Sequence, residues 1–461
     1  MSVTAEIARF IASTKLQDIP ADVRDMAKGF ILDGVGVTLA GATEKGSRII
    51  QSHIKELGGR PEAAVLGTKL RAPARLAAFA NGAGGHAMDH DDTQLSTTKE
   101  STYGLLTHPT IPVISAAMAL GEKLGASGKA ILHAYIVGVE VECRIADAIN
   151  PAHYREGFHS TATMGGFGAV AAASILLRLR AEAILRALGI VASMAAGLRE
   201  NFGTMTKPFH AGRAAENGVV AADLARRGFT AATNILEAKR GFFNATARGF
   251  DPSKISGRLG NPYFLKAPGV SIKPYPSGSL SHPAQDVILD LVKEHDLKAD
   301  QIERIEVGTN SDIPNALIHN SPVTALQGKF SIPFCMAIAV LERKAGIRQF
   351  VDRKVRDPKT VELMKRVTLY VDDEMERLGF DRARAIVKVA LRDGRVLRER
   401  SDAARGMPEK PLGKAGLEEK FFDCAALVMK KPQARKAADL VWSLDRLADM
   451  RALIRELRSA R

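Results

Sequence analysis

Apolar residues recur every three or four positions through most of the first 265 residues, the spacing of buried helices. PADVRDMAKGFILDGVGVTLAG opens on a proline suited to the first helical position. IPVISAAMALGEKLG, KAILHAYIVGVEVECRIADAI, TMGGFGAVAAASILLRL, AEAILRALGIVASMAAG and GRAAENGVVAADLARRG follow the same pattern. They are rich in Ala and Gly, which lets backbones approach closely, so they predict helices packed on several sides. The pattern changes near residue 270, where SIKPYPSGS is dense in turn formers. SHPAQDVILDLVKEH then reads as a helix. QIERIEVGTN and RVTLYVDD alternate polar and apolar residues as strands do, and RAIVKVALRDGRVLRERS alternates on both sides of Asp393-Gly394, a hairpin signal. After GMPEKPLG the helical pattern returns to the end. The expected fold is mainly α: a large all-helical domain from 1–270 plus 404–461, with a smaller α+β domain, 271–403, inserted in it.

A chain of 461 residues favours two domains over one core. The net charge of +14 suits anionic partners. The basic residues are dispersed, however, and the densest runs, Arg382–Arg400 and Lys430–Lys436, lack interleaved aromatics or a nucleic-acid motif, so no nucleic-acid partner is expected. No apolar run reaches the roughly 20 residues of a membrane span, and MSVTAEIARFIAST lacks the form of a signal peptide. Cys143, Cys335 and Cys424 are scattered, which argues against a disulfide framework and an iron–sulfur cluster. A soluble cytoplasmic protein without membrane association is expected.

Chemistry concentrates in six places. Asp89, His90, Asp91, Asp92 and Thr93 form an acidic run in a basic chain, following His86 and a small-residue helix. If that run is helical, Asp89 and Thr93 share a face. His108 lies in THPTIP, where two prolines stiffen the entry to a helix. His159 lies in GFHSTATMGGFG, with Ser160, Thr161 and Thr163 as capping residues. Lys207 and His210 lie in GTMTKPFHAGR. Lys273 lies in KPYPSGSLSHP with Tyr275, Ser277 and His282, and GKFSIPF spans 328–334. Each has an ordinary reading: a cap, a solvated histidine, a surface lysine. His86 and His90 have helical metal-ligand spacing, but nothing pins a third ligand, and no metal is expected. The Gly-rich stretches lack the dinucleotide fingerprint, and there is no GxSxG elbow. Jointly, three helix-start loops carrying His or Lys can build one polar pocket. Lysines hold carboxylates there, histidines move protons near neutral pH, and an aspartate orients them. That set suits elimination, decarboxylation or epimerisation beside a carboxylate.

NGAGGHAMDHDDT, THPTIPVISAAMAL, GFHSTATMGGFGA, GTMTKPFHAGRAAENG, SIKPYPSGSLSHP and GKFSIPF, in this order, resemble the MmgE/PrpD family. The resemblance covers essentially the whole chain. It implies a helical domain with an α+β lid, a homodimer, no cofactor and an active site between the domains. It also implies a lyase acting on a small di- or tricarboxylate. The first expectation is a hydro-lyase of the 2-methylcitrate dehydratase type, with cis-aconitate decarboxylase-like or iminodisuccinate epimerase-like activity as alternatives. A binding protein that keeps the fold without catalysis is the alternative of another class. The catalytic residues implied are His108, His159, Asp89 and Lys273, with Thr93, Lys207, His210, Tyr275 and Ser277 binding substrate. Phe334 is the nearest match to a pocket tyrosine of the decarboxylase branch. His90 stands where an aromatic residue is usual, and the loop 94–107 is long, so substrate choice is expected to differ there.

Overall fold

The computed structural model describes residues 2–94, 105–379 and 381–459. The chain forms two compact units, one comprising Met1–Gln94, Leu105–Val270 and Gly413–Arg461, the other including Ser271–Leu412.

The first unit is helical. Its central helices are α1 (Ala21–Gly41), α2 (Ala74–His86), α3 (Thr110–Leu124), α4 (Gly128–Ile149), α5 (Ser160–Leu176) and α6 (Thr206–Arg226). Pro20 caps α1 from just outside rather than occupying its first turn. Helix α6 packs along α2 and α5, and α5 also packs against α3 and α4. The small residues make this possible. A Cβ on Gly82 of α2 would sit 2.8 Å from the Gly212 Cα of α6, and one on Gly212 would sit 2.4 Å from the Phe79 carbonyl oxygen. The two backbones therefore touch. This brings the C-terminal end of α2, at His86, near the first turns of α6, which carry Lys207 and His210. Helix Gly413–Ala425 returns from the far end of the sequence to pack on α1. No helix among the described residues is long and apolar enough to cross a membrane. The three cysteines are free and buried.

In the second unit, β1 (Ile302–Thr309), β2 (Val367–Val371), β3 (Ala385–Leu391) and β4 (Val396–Ser401) form a mixed sheet in the order β2-β1-β3-β4. β1 pairs parallel to β2 and antiparallel to β3, with Val307 opposite Val387. The hairpin expected around Asp393-Gly394 joins β3 to β4, with Lys388 opposite Arg398. Interior strand β3 is less alternating than its sequence, with only Lys388 left half-buried. Helices α7 (His282–Glu294) and α8 (Ile332–Glu342) pack on this sheet and on each other around a core that includes Ile288, Phe334 and Val387.

Candidate active site

Helix α2 stops at His86, and the acidic run after it is not helical. Asp89 takes a left-handed backbone, φ 53°, which short polar side chains tolerate better than others. Two sequence readings fall with the missing helix. Asp89 and Thr93 do not share a helical face, and His86 and His90 are not one turn apart. The turn instead sends alternate groups to different partners. The Asp89 carboxylate accepts from Lys207 Nζ at 2.7 Å. Asp91 Oδ2 lies 2.8 Å from His86 Nδ1 and 3.4 Å from His108 Nδ1. Asp92 takes the other direction, accepting from the Thr110 N–H at 3.2 Å and the Thr110 hydroxyl at 2.5 Å. Thr110 and the Tyr135 hydroxyl are 2.6 Å apart. Asp89, Asp91, Asp92 and Thr93 are all buried.

Four imidazoles meet here. The His86 ring lies 4.5 Å from His108 and 5.6 Å from His159, centre to centre, and His159 lies 5.4 Å from His210. His108 enters from the loop before α3, where its backbone N–H donates to Thr161 Oγ1 at 3.0 Å. His159 precedes α5 and is held by its own N–H, which donates to the Gly197 carbonyl at 3.0 Å. Ser160 is the first residue of α5 rather than its cap, and Thr163 bonds His153 Nε2 at 2.8 Å. Phe202 closes one side, edge-on to His159 at 4.9 Å and 5.2 Å from Lys207 Nζ.

The hydrogen bonds set the proton positions. A carbonyl oxygen only accepts, so His108 Nδ1, 2.7 Å from the Asp92 carbonyl, carries its proton. His86 Nδ1 donates to the Asp91 carboxylate in the same way. In the neutral rings both Nε2 atoms are then proton acceptors. Nε2 of His86 and of His159 are buried with no hydrogen-bond partner among the described residues.

Burial pushes the His86 ring below the usual histidine range, opposed by Asp91. Burial, reinforced by the neighbouring His86 and Lys207, holds His159 well below it. Burial and the same neighbours bring His210 down to about 4. Behind the rings, burial pushes Asp92 and Glu142 well above the carboxylate range, against hydrogen bonds from Thr110 and Thr107. At neutral pH the site therefore offers neutral rings able to accept protons, backed by carboxyls biased toward the protonated form.

His86, Asp91 and His108 can each bring one ligand atom within 4.8 Å of the others, so they are the described residues best placed to hold a cation. Both Nδ1 atoms are already committed as donors, one to Asp91 and one to the Asp92 carbonyl. A cation on either Nδ1 would require loss of these bonds.

The structure gathers Asp89, His108, His159, Lys207 and His210 in the first unit, and Thr93 is buried in the same unit. Lys273, Tyr275 and Ser277 belong to the second. There Lys273 is buried, and the Tyr275 hydroxyl donates to Asp286 at 2.6 Å. Ser277 Oγ accepts from Gln285 Nε2 at 2.9 Å. Phe334 does not take the place of a pocket tyrosine. It is fully buried in the second unit's core, with its ring 5.3 Å from Phe350. Most of the 94–107 loop lies outside the described residues. At its base the Gln94 N–H donates to the Thr107 carbonyl at 2.9 Å and the Leu106 N–H to the Gln94 carbonyl at 3.2 Å. The roles of His86, Asp91 and Phe202 were not read from sequence. His86 and Asp91 stood in the acidic stretch, but their five-residue separation has no regular-element meaning.

The family comparison divides the chain near the same point as the fold does. The MmgE/PrpD N-terminal domain matches residues 5–255 and the MmgE/PrpD C-terminal domain matches residues 275–446. The chain belongs to the MmgE/PrpD family. It is 29% identical over 466 residues to the cis-aconitate decarboxylase of Homo sapiens, covering 98% of this chain and 94% of that protein. It is 28% identical to the Mus musculus cis-aconitate decarboxylase, with 99% and 93% covered. It is 27% identical to that of Aspergillus terreus, with 98% and 95% covered.

Proposed function

We propose that this protein is a cofactor-independent lyase that decarboxylates a small unsaturated tricarboxylate of the cis-aconitate kind. The observation that carries the reading is the cluster of four buried imidazoles beside the Lys207–Asp89 pair. Relatives named for decarboxylation support it ahead of the dehydration expected first from sequence. When the carbon–carbon bond to one carboxylate breaks, carbon dioxide leaves and its bonding electrons remain on the substrate as a delocalised carbanion. A proton must then be delivered to carbon. Neutral buried rings are poor donors, so the charge of the arriving substrate has a second use. Several carboxylates entering a low-dielectric site raise the pKa of the nearest imidazole and load it with a proton. In this reading His108 and His159 carry that proton, Lys207 holds a substrate carboxylate and Asp89 holds Lys207. Thr93 and His210 contact substrate. Lys273 enters on its sequence motif alone, as a second carboxylate anchor, with Tyr275 and Ser277 shaping its loop. A cytoplasmic homodimer belongs to the same proposal.

The test incubates chelator-treated protein with cis-aconitate, 2-methylcitrate, citrate and iminodisuccinate, with products read by NMR. Carbon dioxide and a decarboxylated diacid from cis-aconitate, unaffected by chelator and lost in His159→Ala, support the reading. Alkene formation from 2-methylcitrate would instead make it a hydro-lyase. Binding without product would make it a binding protein.

A further inference from the structure

We infer that Lys420, from the last fifty residues of the chain, is a positioning residue for the histidine cluster. It lies on helix Gly413–Ala425, which approaches α1 closely because residue 36 is glycine. A Cβ on Gly36 would come within 3.3 Å of the Phe421 Cα. That approach carries the Lys420 side chain, 6% exposed, into the core, where Nζ meets Asp33 Oδ1 at 2.5 Å, itself 1% exposed. The same Nζ donates to the His90 carbonyl at 2.7 Å. His90 joins Asp89, the partner of Lys207, to Asp91, the partner of His86. The ammonium therefore grips the backbone between two carboxylates that hold opposite sides of the site.

The electrostatics explain why a cation is needed. Asp33, Asp91 and Asp92 are all buried on this side of the turn. Burial pushes Asp33 up to about 6, Lys420 draws it down, and Asp91 repels it. Without the ammonium the His90 carbonyl loses this donor, and the turn can carry Asp91 away from its imidazole partners. A displacement of about 1 Å at a catalytic group can cost on the order of 100-fold in rate. Lys420 acts through Asp91 and not on substrate, so its loss should lower kcat while sparing KM.

The inference rests on reading these imidazoles as catalytic, and the experiment separates the two. Lys420→Met, Lys420→Arg and, as a control on the same helix, Lys414→Met are compared with the wild type. One readout is steady-state decarboxylation of cis-aconitate. The other needs no turnover: exchange of the imidazole C2 hydrogen of His86 against pH, followed by peptide mass spectrometry. His86 is faced by Asp89, Asp91, Lys207, His108 and His159. In Lys420→Met, kcat should fall about tenfold or more, with KM within about twofold. The His86 titration should move further down as the Asp91 contact loosens. Lys420→Arg should recover most of both, and Lys414→Met should match the wild type. An unchanged or upward-moving His86 titration overturns the inference, since losing a cation without displacing Asp91 moves it upward. Failure of both Lys420 variants to fold also overturns it, because the residue is then structural. If the wild type does not turn over cis-aconitate, the functional reading fails and the His86 titration alone decides the role of Lys420.

Discussion

Replacing Asp91 with asparagine removes a charge and almost no volume. In the wild type its Oδ2 accepts from His86 at 2.8 Å and stands 3.4 Å from His108 Nδ1, with both the Asp91 and His86 side chains fully buried. Once either ring is protonated, the carboxylate stabilises it. At an effective dielectric of ~20, a pair 3.4 Å apart attracts by about 5 kcal/mol, an upper bound. Asparagine keeps an acceptor oxygen, so what is lost is the difference between a charge-assisted and a neutral hydrogen bond, roughly 1–2 kcal/mol. That difference predicts a fall in kcat of about 5- to 30-fold. It also predicts where the loss falls along the pH axis. With less support for the imidazolium, the ring gives up its proton sooner, and the alkaline limb of the kcat profile moves to lower pH. The assay is initial-rate decarboxylation from pH 5 to 9, alongside a urea titration of the same variant. A kcat within twofold of wild type with an unmoved alkaline limb would refute the argument. A large loss of stability with an unmoved limb would refute it too, by making Asp91 a structural acceptor only.

Other expectations follow from the same geometry. Binding of a tricarboxylate should take up about one proton near pH 7, seen as a calorimetric heat that varies with the ionisation enthalpy of the buffer; a heat independent of buffer refutes substrate-driven loading. Lys207→Met should raise KM and destabilise the fold by about 3–5 kcal/mol, because it breaks a buried ion pair by removing one partner. Adding Asp89→Asn should recover most of that stability in urea unfolding but not the raised KM. His153 lies outside the cluster, and burial brings its pKa down to about 4. The unfolded chain therefore takes up that proton first, so its contribution is complete above pH ~6.5 and is lost as pH falls toward 4. His153→Gln should flatten the acid-side fall in unfolding free energy by about 3 kcal/mol, while Asp33, raised to about 6, tilts the curve the opposite way. An unchanged slope in the variant counts against a neutral buried ring.

The helical periodicity that announced α1 through α6 survived because each helix buries most of its surface, so pattern and packing agree. The Gly and Ala content was equally legible, since Gly82 and Gly212 show directly why it is needed. The turn after His86 was not legible. A left-handed Asp89 ends any periodicity, and the partners of Asp91 and Asp92 lie on α2 and on the loop into α3. The helical spacing of His86 and His90 therefore carried no structural meaning. The place of Phe334 was illegible for the opposite reason. GKFSIPF is a motif, and motifs suggest sites, yet this one builds the second unit's core. Lys420 gave no signal at all, being one lysine among many in a basic chain.

The buried charges also bear on why the site is built this way. Asp33, Asp89, Asp91, Asp92, Glu142, Lys207 and Lys420 all lie in the interior of the helical unit. An apolar set of similar volume would be as stable or more so. A surface histidine pair would move protons too, but water would screen it, and an arriving polyanion would barely shift its pKa. In the proposed mechanism, burial leaves the rings neutral and unscreened until substrate charge enters, so proton loading is tied to occupancy. The carboxylates that hold the rings must then be buried with them, and each needs a donor or a cation of its own. Lys207 answers Asp89, Thr110 answers Asp92, and Lys420 answers Asp33 while gripping the turn between Asp89 and Asp91. A chemistry that requires dry, neutral histidines thereby accounts for charged residues as distant in sequence as Asp33 and Lys420.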